Sequence, residues 1–108
     1  MKTSELIGLP LDWAVAKCEN LTVGTATPSG VYTEQQRWFS PSTDWPQGGP
    51  IIDRENITWD GQAATICRHV NGKYPKWSEY GPTPLIAAMR AFVASKLGDE
   101  VEIPQELT

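Results

Sequence analysis

The residue types that could bind a ligand are concentrated in one central stretch, WFSPSTDWPQGGPIIDRE, at positions 38–55. Hydroxyl side chains and a glycine pair bring hydrogen-bond donors close to a phosphate group, above all at the N-terminus of a helix. An indole ring stacks on a base, and a carboxylate accepts hydrogen bonds from a ribose or a base edge. The stretch therefore predicts a site for a nucleotide-type ligand. We expect phosphate near Ser40, Ser42, Thr43, Gly48 and Gly49, ribose or base donors at Asp44, and stacking on Trp45.

Four residues are weaker candidates for the same site, namely Trp38, Arg54, Trp77 and Tyr80. The segment 77–83 is rich in aromatic residues and glycine, and it could form a second wall. Arg54 could pair with a phosphate, although most arginines of a small domain are expected to pair with its own carboxylates. The central residues also suit a loop whose hydroxyls cap their own backbone and whose indoles fill a small core. Both interpretations stay open here, because such caps are common without ligands.

Catalytic patterns are missing from the sequence. There is one histidine, His69, and no nucleophile elbow, phosphate-binding P-loop or metalloprotease motif. Cys18 and Cys67 form no C-x-x-C pair, whereas zinc needs three or four protein ligands. We therefore expect a binder rather than an enzyme, with no catalytic residue, no metal and no cofactor.

Two helices are predicted near the ends of the chain. Pro10 suits a first helical position, and Leu11, Ala14, Val15 and Cys18 then form one apolar stripe that leaves Asp12 on the polar side. The second helix has a good N-cap in Thr83, Pro84 as its first residue, and Gly98 as its end. In the centre, Ser40-Pro41 predicts one helical turn over 41–45 that Pro46 ends, and Gly48-Gly49-Pro50 predicts a short helix through Glu55.

Strand patterns occupy the residues between the two helices. Segments 22–27 and 31–39 are separated by Pro28-Ser29-Gly30, segments 57–59 and 65–70 by Asp60-Gly61, and Asn71-Gly72 leads into 73–77. The sequence thus predicts an α+β fold in which a small, mostly antiparallel sheet is flanked by an N-terminal and a C-terminal helix, with short helical turns in the central loop. Residues 1–98 are expected to form a single domain, followed by an acidic tail at 99–108, in which 101–104 resembles an edge strand or a docked extended segment.

The charge pattern limits the possible partners. The net charge is −4 over 108 residues, and no basic stripe for duplex nucleic acid is visible. The apolar runs are too short to cross a membrane, and the N-terminus has no signal-peptide pattern. We expect a protein that binds neither duplex nucleic acid nor membranes.

Four strings carry a resemblance to a known family: MKTSEL, LDWAVAKCE, FSPSTDWPQGGPIIDRE and TPLIAAMRAFVASKLGDEVEIPQEL. They resemble the NinX family of small proteins from lambdoid bacteriophages. The resemblance implies a phage gene outside the structural set, expressed in the cytoplasm of the infected bacterium. It supplies no catalytic residues.

Two functional hypotheses follow for a small phage protein of this kind. In the first, a homo-oligomer sequesters a nucleotide-type immune signal of the host and so blocks defence, because a small domain buries a ligand best between subunits. In the second, exposed tryptophans and the acidic tail bind a host protein and inhibit or redirect it. A weaker third possibility is an enzyme that degrades such a nucleotide.

Overall fold

The computed structural model describes residues 1–27, 30–34 and 38–107. Across these residues the chain forms three α-helices and two antiparallel sheets, of two and three strands. The helices are α1 (Gly8–Cys18), α2 (Trp45–Glu55) and α3 (Pro84–Leu97), and the strands are β1 (Val23–Thr27), β2 (Gly30–Thr33), β3 (Thr58–Asp60), β4 (Ala63–Cys67) and β5 (Lys76–Tyr80). Short 3₁₀ turns lie at Thr3–Glu5 and Gln105–Leu107. The predicted α+β class, with a helix near each end of the chain, is confirmed.

The helix α3 is the centre of the core. Its N-cap is Thr83, whose Oγ1 accepts the backbone N–H of Ile86 at 3.1 Å, and Gly98 follows its last residue with φ 88°. Every residue from 85 to 94 except Arg90 is buried. A helix that is apolar on nearly all sides must be covered on all sides. The sheet strands β4 and β5 cover one side of α3, and α1 and α2 pack against it as well.

The three-stranded sheet has the order β3-β4-β5, with Trp59 paired to Ala64 and Ile66 paired to Trp77. Both predicted glycine turns are present: Gly61 has φ 64°, and Asn71 and Gly72 have φ 50° and 77°. β5 begins at Lys76 rather than at residue 73, because Val70 and Lys73 exchange the hydrogen bonds that close the second turn. The sheet therefore ends in a long β4–β5 hairpin that extends past the strands.

The smaller sheet pairs β1 with β2, and Ala26 lies opposite Val31. The predicted turn residues Pro28 and Ser29 lie outside the described residues, and so does the segment 35–37. No helix among the residues described is long and apolar enough to cross a membrane.

The central segment differs from the prediction. Residues 41–43 form a turn, and α2 then runs without interruption from Trp45 to Glu55, with Gly48-Gly49 and Pro50 inside it. The helix begins early because the Asp44 carbonyl accepts the N–H groups of Gln47 and Gly48, at 3.0 and 2.9 Å. Pro46 is tolerated there, since the first turn of a helix has no acceptor for its N–H groups. The predicted start at Pro50 is wrong.

Gln47 fastens the beginning of α2 to the residues before it. Its Oε1 accepts the backbone N–H of Ser40 at 2.9 Å, and its Nε2 donates to the carbonyl of Trp38 at 2.9 Å. The turn 41–43 is thereby held against the first turn of the helix.

The C-terminal segment lies along the N-terminus of the chain. Met1 and Val101 exchange backbone hydrogen bonds at 3.0 and 2.9 Å, and Thr3 N donates to the Asp99 carbonyl at 2.8 Å. Val101 and Leu107 are buried. Residues 99–107 are therefore docked on the rest of the chain, whereas the division of the chain at residue 98 stays a prediction.

Gly48→Ala should destabilise the protein, whereas Gly49→Ala should not. A Cβ on Gly48 would lie 2.6 Å from Leu85 Cδ1 and closer still to the carbonyl oxygen of Pro41, and forcing a methyl group into a packed site costs about 1–3 kcal/mol. The nearest atom to a Cβ on Gly49 is Trp45 Cε3 at 3.9 Å, and Ala is favoured over Gly inside a helix by about 0.5–1 kcal/mol. Urea denaturation measures both variants. Equal unfolding free energies would contradict the close approach of α2 to α3.

Candidate functional site

A cleft crosses the N-terminus of α3. It consists of two hollows of about 430 and 210 Å³ that share Thr83 and Pro84, and together they are large enough for a small-molecule ligand. We call the two hollows the α3 cleft. The larger is lined by Trp59, Gly61, Gln62, Gly81, Pro82, Thr83 and Pro84, and the smaller by Ser42, Thr43, Trp45, Thr83, Pro84, Leu85 and Ile86.

An indole ring lines each hollow. Trp59 is 37% exposed, and its Nε1 donates to the Pro84 carbonyl at 3.1 Å, which fixes the ring beside the first turn of α3. Trp45 is 52% exposed at the first position of α2. Large aromatic side chains with this exposure offer stacking surfaces to a planar ligand.

The lining of the cleft is uncharged and mostly apolar, with a few polar groups. Its lining residues include the hydroxyls of Thr43 and Thr83 and the amide of Gln62, and none of them carries a charge. The partial positive charge at the N-terminus of the 14-residue α3 adds a preference for an anionic group. The cleft therefore suits a planar ligand that carries little negative charge.

Three of the sequence-predicted site residues line the cleft, namely Ser42, Thr43 and Trp45. Ser40 lies one turn away, with its backbone N–H bound to Gln47. Asp44 occupies the N-cap position of α2, but its side chain makes no capping hydrogen bond. Because its neighbours Thr43 and Trp45 both line the smaller hollow, Asp44 lies beside the cleft.

The glycine pair does not form the predicted amide cradle. Gly48 and Gly49 lie inside α2, and the Gly48 N–H is bound to the Asp44 carbonyl. Gly48 is buried because α2 approaches Pro41 and Leu85 closely at this point. The expectation that both glycines precede a helix is wrong, because α2 begins at Trp45.

The predicted second wall is present only in part. Gly81 and Thr83 line the cleft, whereas Trp77 and Tyr80 do not. Trp77 packs against the core, and Tyr80 is 68% exposed on β5. Trp38 is half-exposed and makes an edge-on contact with Tyr32, with ring centroids 5.4 Å apart.

Arg54 belongs to a network of ion pairs at the far end of α2. Its guanidinium binds the carboxylates of Glu19 and Glu55, and Glu55 also binds Arg68 at 2.7 Å. The hydrogen bonds that Arg54 donates to the carboxylates of Glu19 and Glu55 raise the pKa of its guanidinium above the ordinary value. This arginine therefore joins the ends of α1 and α2, as expected for most arginines of the chain. Arg37 lies outside the described residues.

Sequence reasoning missed Trp59 and Asp12. Trp59 stands directly before the Asp60-Gly61 turn, which could have marked it as a residue at the end of a strand. The apolar stripe predicts Asp12 on the polar side of α1, but the residue is only 3% exposed. The stripe of apolar residues gave no sign that α1 is covered on this side as well.

Asp12 holds one edge of the cleft in place. Its Oδ1 accepts the backbone N–H of Ser42 at 2.9 Å, so α1 is tied to the turn 41–43. Burial raises the pKa of the Asp12 carboxyl from 3.8 to about 6, and the hydrogen bonding with Ser42 opposes that shift in part. The Ser42 Oγ is itself buried and lacks a hydrogen bond of ordinary geometry. Burying a charged carboxylate without an ion pair costs folding free energy. A carboxyl group with a strongly raised pKa beside a cleft is therefore a candidate functional group.

The family model described as Bacteriophage P22, NinX matches residues 2–96. None of the curated proteins matches the chain.

Asp12→Asn should raise the unfolding free energy at neutral pH and lose this advantage in acid. The pKa of Asp12 is about 6 in the folded protein and 3.8 in an ordinary aspartate. The folded state therefore binds the proton more tightly, and this carboxyl adds stability as the pH falls from about 6 towards about 4. Above that range the buried charge costs on the order of 3 kcal/mol, since one pKa unit corresponds to about 1.4 kcal/mol. Urea denaturation of both proteins across this pH range measures the difference.

Asp12→Ala is the control for this experiment. It removes the acceptor for the Ser42 N–H, so it should be less stable than Asp12→Asn at every pH. A difference between wild type and Asp12→Asn that stays constant with pH would contradict the raised pKa.

Proposed function

The chain belongs to the bacteriophage P22 NinX family and is a phage accessory protein; from this premise we propose that it sequesters a nucleotide-type immune signal of the host in the α3 cleft. The protein then acts as a binder in the cytoplasm of the infected bacterium, and the signal is withheld from its receptor.

The observation that carries the proposal is the pair of exposed indoles in one cleft. Trp59 and Trp45 lie in adjoining hollows with Thr83 and Pro84 between them. A base stacks on an exposed ring, and a ligand with two bases has a ring for each. Between the rings, the hydroxyls of Thr43 and Thr83 donate hydrogen bonds to the phosphate group, and the positive end of the α3 dipole attracts it, while the Ile86 N–H stays bound to Thr83 Oγ1.

The charges around the cleft favour a ligand with few phosphate charges. The described arginines are bound to protein groups: Arg54 and Arg68 to carboxylates, and Arg90 to the carbonyls of Leu6 and Tyr80 at 2.7 and 2.9 Å. A triphosphate would therefore lack fixed cations, whereas a cyclic nucleotide with one charge per phosphate needs fewer. Cyclic mononucleotides and dinucleotides are the ligand class that fits best.

Sequestration fits the cleft better than turnover of the ligand. The lining residues supply rings, hydroxyls and an amide, and among the described residues no carboxylate or histidine lines it. General acid–base chemistry needs such groups within hydrogen-bond reach. Because the cleft is open on one side, we propose that a second subunit of a homo-oligomer completes it.

The alternative function is binding of a host protein. It is favoured by aromatic rings that stand exposed outside the cleft, at Trp38, Tyr74 and Tyr80. Such rings are enriched among residues that dominate protein interfaces. The acidic tail is consistent with this alternative, because its backbone is docked on the chain while Asp99, Glu100 and Glu102 are exposed.

Trp59→Ala and Trp45→Ala should each weaken nucleotide binding. A stacked base contributes about 1–3 kcal/mol, so the dissociation constant should rise between about five-fold and about 150-fold. Tyr80→Ala is the matched control, since this exposed ring does not line the cleft. Calorimetry with cyclic mononucleotides, cyclic dinucleotides and ADP-ribose derivatives measures the affinities, and melting temperatures show that the variants are folded.

The same samples distinguish the other functions. Ligand recovered intact after denaturation supports sequestration, and cleaved ligand indicates an enzyme. If no nucleotide of the panel binds the wild-type protein, the proposal is wrong. A host protein that is captured from lysate by wild type but not by Trp38→Ala would then support the alternative.

A further inference from the structure

The end of the β4–β5 hairpin is an ordered projection. We call residues 68–76 the hairpin tip. Arg68 N donates to the Pro75 carbonyl at 3.1 Å, and Val70 and Lys73 exchange hydrogen bonds at 2.8 and 2.9 Å. Asn71 and Gly72 both have positive φ angles, as a tight two-residue hairpin turn requires. The backbone of the tip is therefore held in one conformation.

The hairpin tip is basic in an acidic protein. Residues 61–78 contain Arg68, Lys73 and Lys76 and no acidic residue, so this segment carries +3 while the rest of the chain carries −7, for a net −4. Arg68 is bound to Glu55. Lys73 and Lys76 are exposed, and neither has an ion pair among the described residues. Two lysines of the tip are thus available to a partner.

Apolar surface lies beside these lysines. Val70 is 44% exposed and Tyr74 68% exposed, and the Tyr74 ring lies 4.9 Å from the ring of His69. Val70, Lys73 and Tyr74 border an open hollow of about 490 Å³. Exposed aromatic and aliphatic surface with a charged rim is typical of interaction sites.

A complementary surface exists at the other end of β5. Glu79, Asp99 and Glu100 border a shallow hollow of about 150 Å³, together with Lys2. Burial and the nearby charge of Asp99 raise the pKa of Glu79, so the negative charges are crowded. We call these three residues the acidic face. Glu79 of this face lies about 10 Å from Lys76 along β5, at about 3.3 Å per residue. The pairing of β5 with β4 keeps the strand extended, so the hairpin tip points away from its own acidic face.

We propose that the hairpin tip docks on the acidic face of a second copy of this chain. Lys73 and Lys76 meet Asp99 and Glu100 of that copy, and Val70 and Tyr74 supply the apolar contact. Because each copy carries both surfaces, two copies related by a two-fold axis make the contact twice. A nucleic acid is a poorer occupant, since the −7 charge of the rest of the chain repels a polyanion. This inference does not rest on any ligand in the α3 cleft.

Charge reversal in separate variants and in their mixture tests the proposal. Lys73→Glu/Lys76→Glu makes the tip acidic, and Asp99→Lys/Glu100→Lys makes the face basic. In sedimentation velocity the wild type should associate, more weakly at high salt, and each double variant alone should associate at least about tenfold more weakly. An equimolar mixture should regain association, because the acidic tip of one variant meets the basic face of the other in one contact, and the unchanged tip and face meet in the second.

Two controls keep the result interpretable. Lys17→Glu/Lys96→Glu changes the net charge by the same amount as Lys73→Glu/Lys76→Glu, but outside both surfaces. It should therefore associate like wild type. Melting temperatures identify variants that misfold. If the reversal of charge unfolds the chain, Lys73→Gln/Lys76→Gln removes the same two charges without reversing them.

The proposal is overturned if the wild type sediments as a monomer at all concentrations, or if the mixture stays as dissociated as its components. A monomer that binds labelled single-stranded RNA through Lys73 and Lys76 would assign the tip to a nucleic acid instead. Nucleotide binding in the cleft is measured separately, so either proposal can fail alone.

Discussion

The structure depends on the burial of α3 on nearly all of its sides. Only Arg90 interrupts the buried run from residue 85 to 94, so the sheet, α1 and α2 must all reach this helix. Two glycines permit the closest approaches: Gly48 beside Leu85, and Gly81 beside the backbone of Ala87. The N-terminus of α3 then emerges where α2 begins and where the β3–β4 turn ends. The cleft is therefore a consequence of how the core is packed.

Some charged side chains of the described residues hold the structure together, and others are available to a partner. Glu19, Arg54, Glu55 and Arg68 form a continuous network that links α1, α2 and the end of β4, and Arg68 reaches Ser95 of α3 at 2.9 Å. An exposed ion pair alone contributes at most about 1 kcal/mol, but a network that joins four elements restricts their relative motion. Because these arginines are engaged, the proposed binding of a nucleotide relies on stacking and on the end of a helix rather than on fixed cations.

The elements that local signals define could be predicted from the sequence. Thr83-Pro84 and Gly98 mark both ends of α3, and Asp60-Gly61 and Asn71-Gly72 mark the hairpin turns. The start of α2 could not be predicted, because Gly-Gly-Pro usually interrupts a helix. Here Gly48 is required by a contact with Leu85, a residue distant in the sequence. The residues of the α3 cleft could be predicted only in part for the same reason. Thr43 and Trp45 belong to the central stretch of the sequence, whereas Trp59 is brought near them only by the packing around α3.

The two ends of the three-stranded sheet have different roles in these proposals. The Gly61-Gln62 turn before β4 and Gly81 after β5 border the cleft, whereas the hairpin tip lies at the opposite end of both strands. Glu79 of the acidic face, however, lies two residues before Gly81, at the same end as the cleft. A docked tip from a second copy thus arrives at the end of the sheet where the ligand is proposed to bind. A contact between the docked tip and the ligand would couple the association of two copies to the binding of ligand. Ligand would then change the affinity of the copies for each other by the same factor by which their association changes the affinity for ligand.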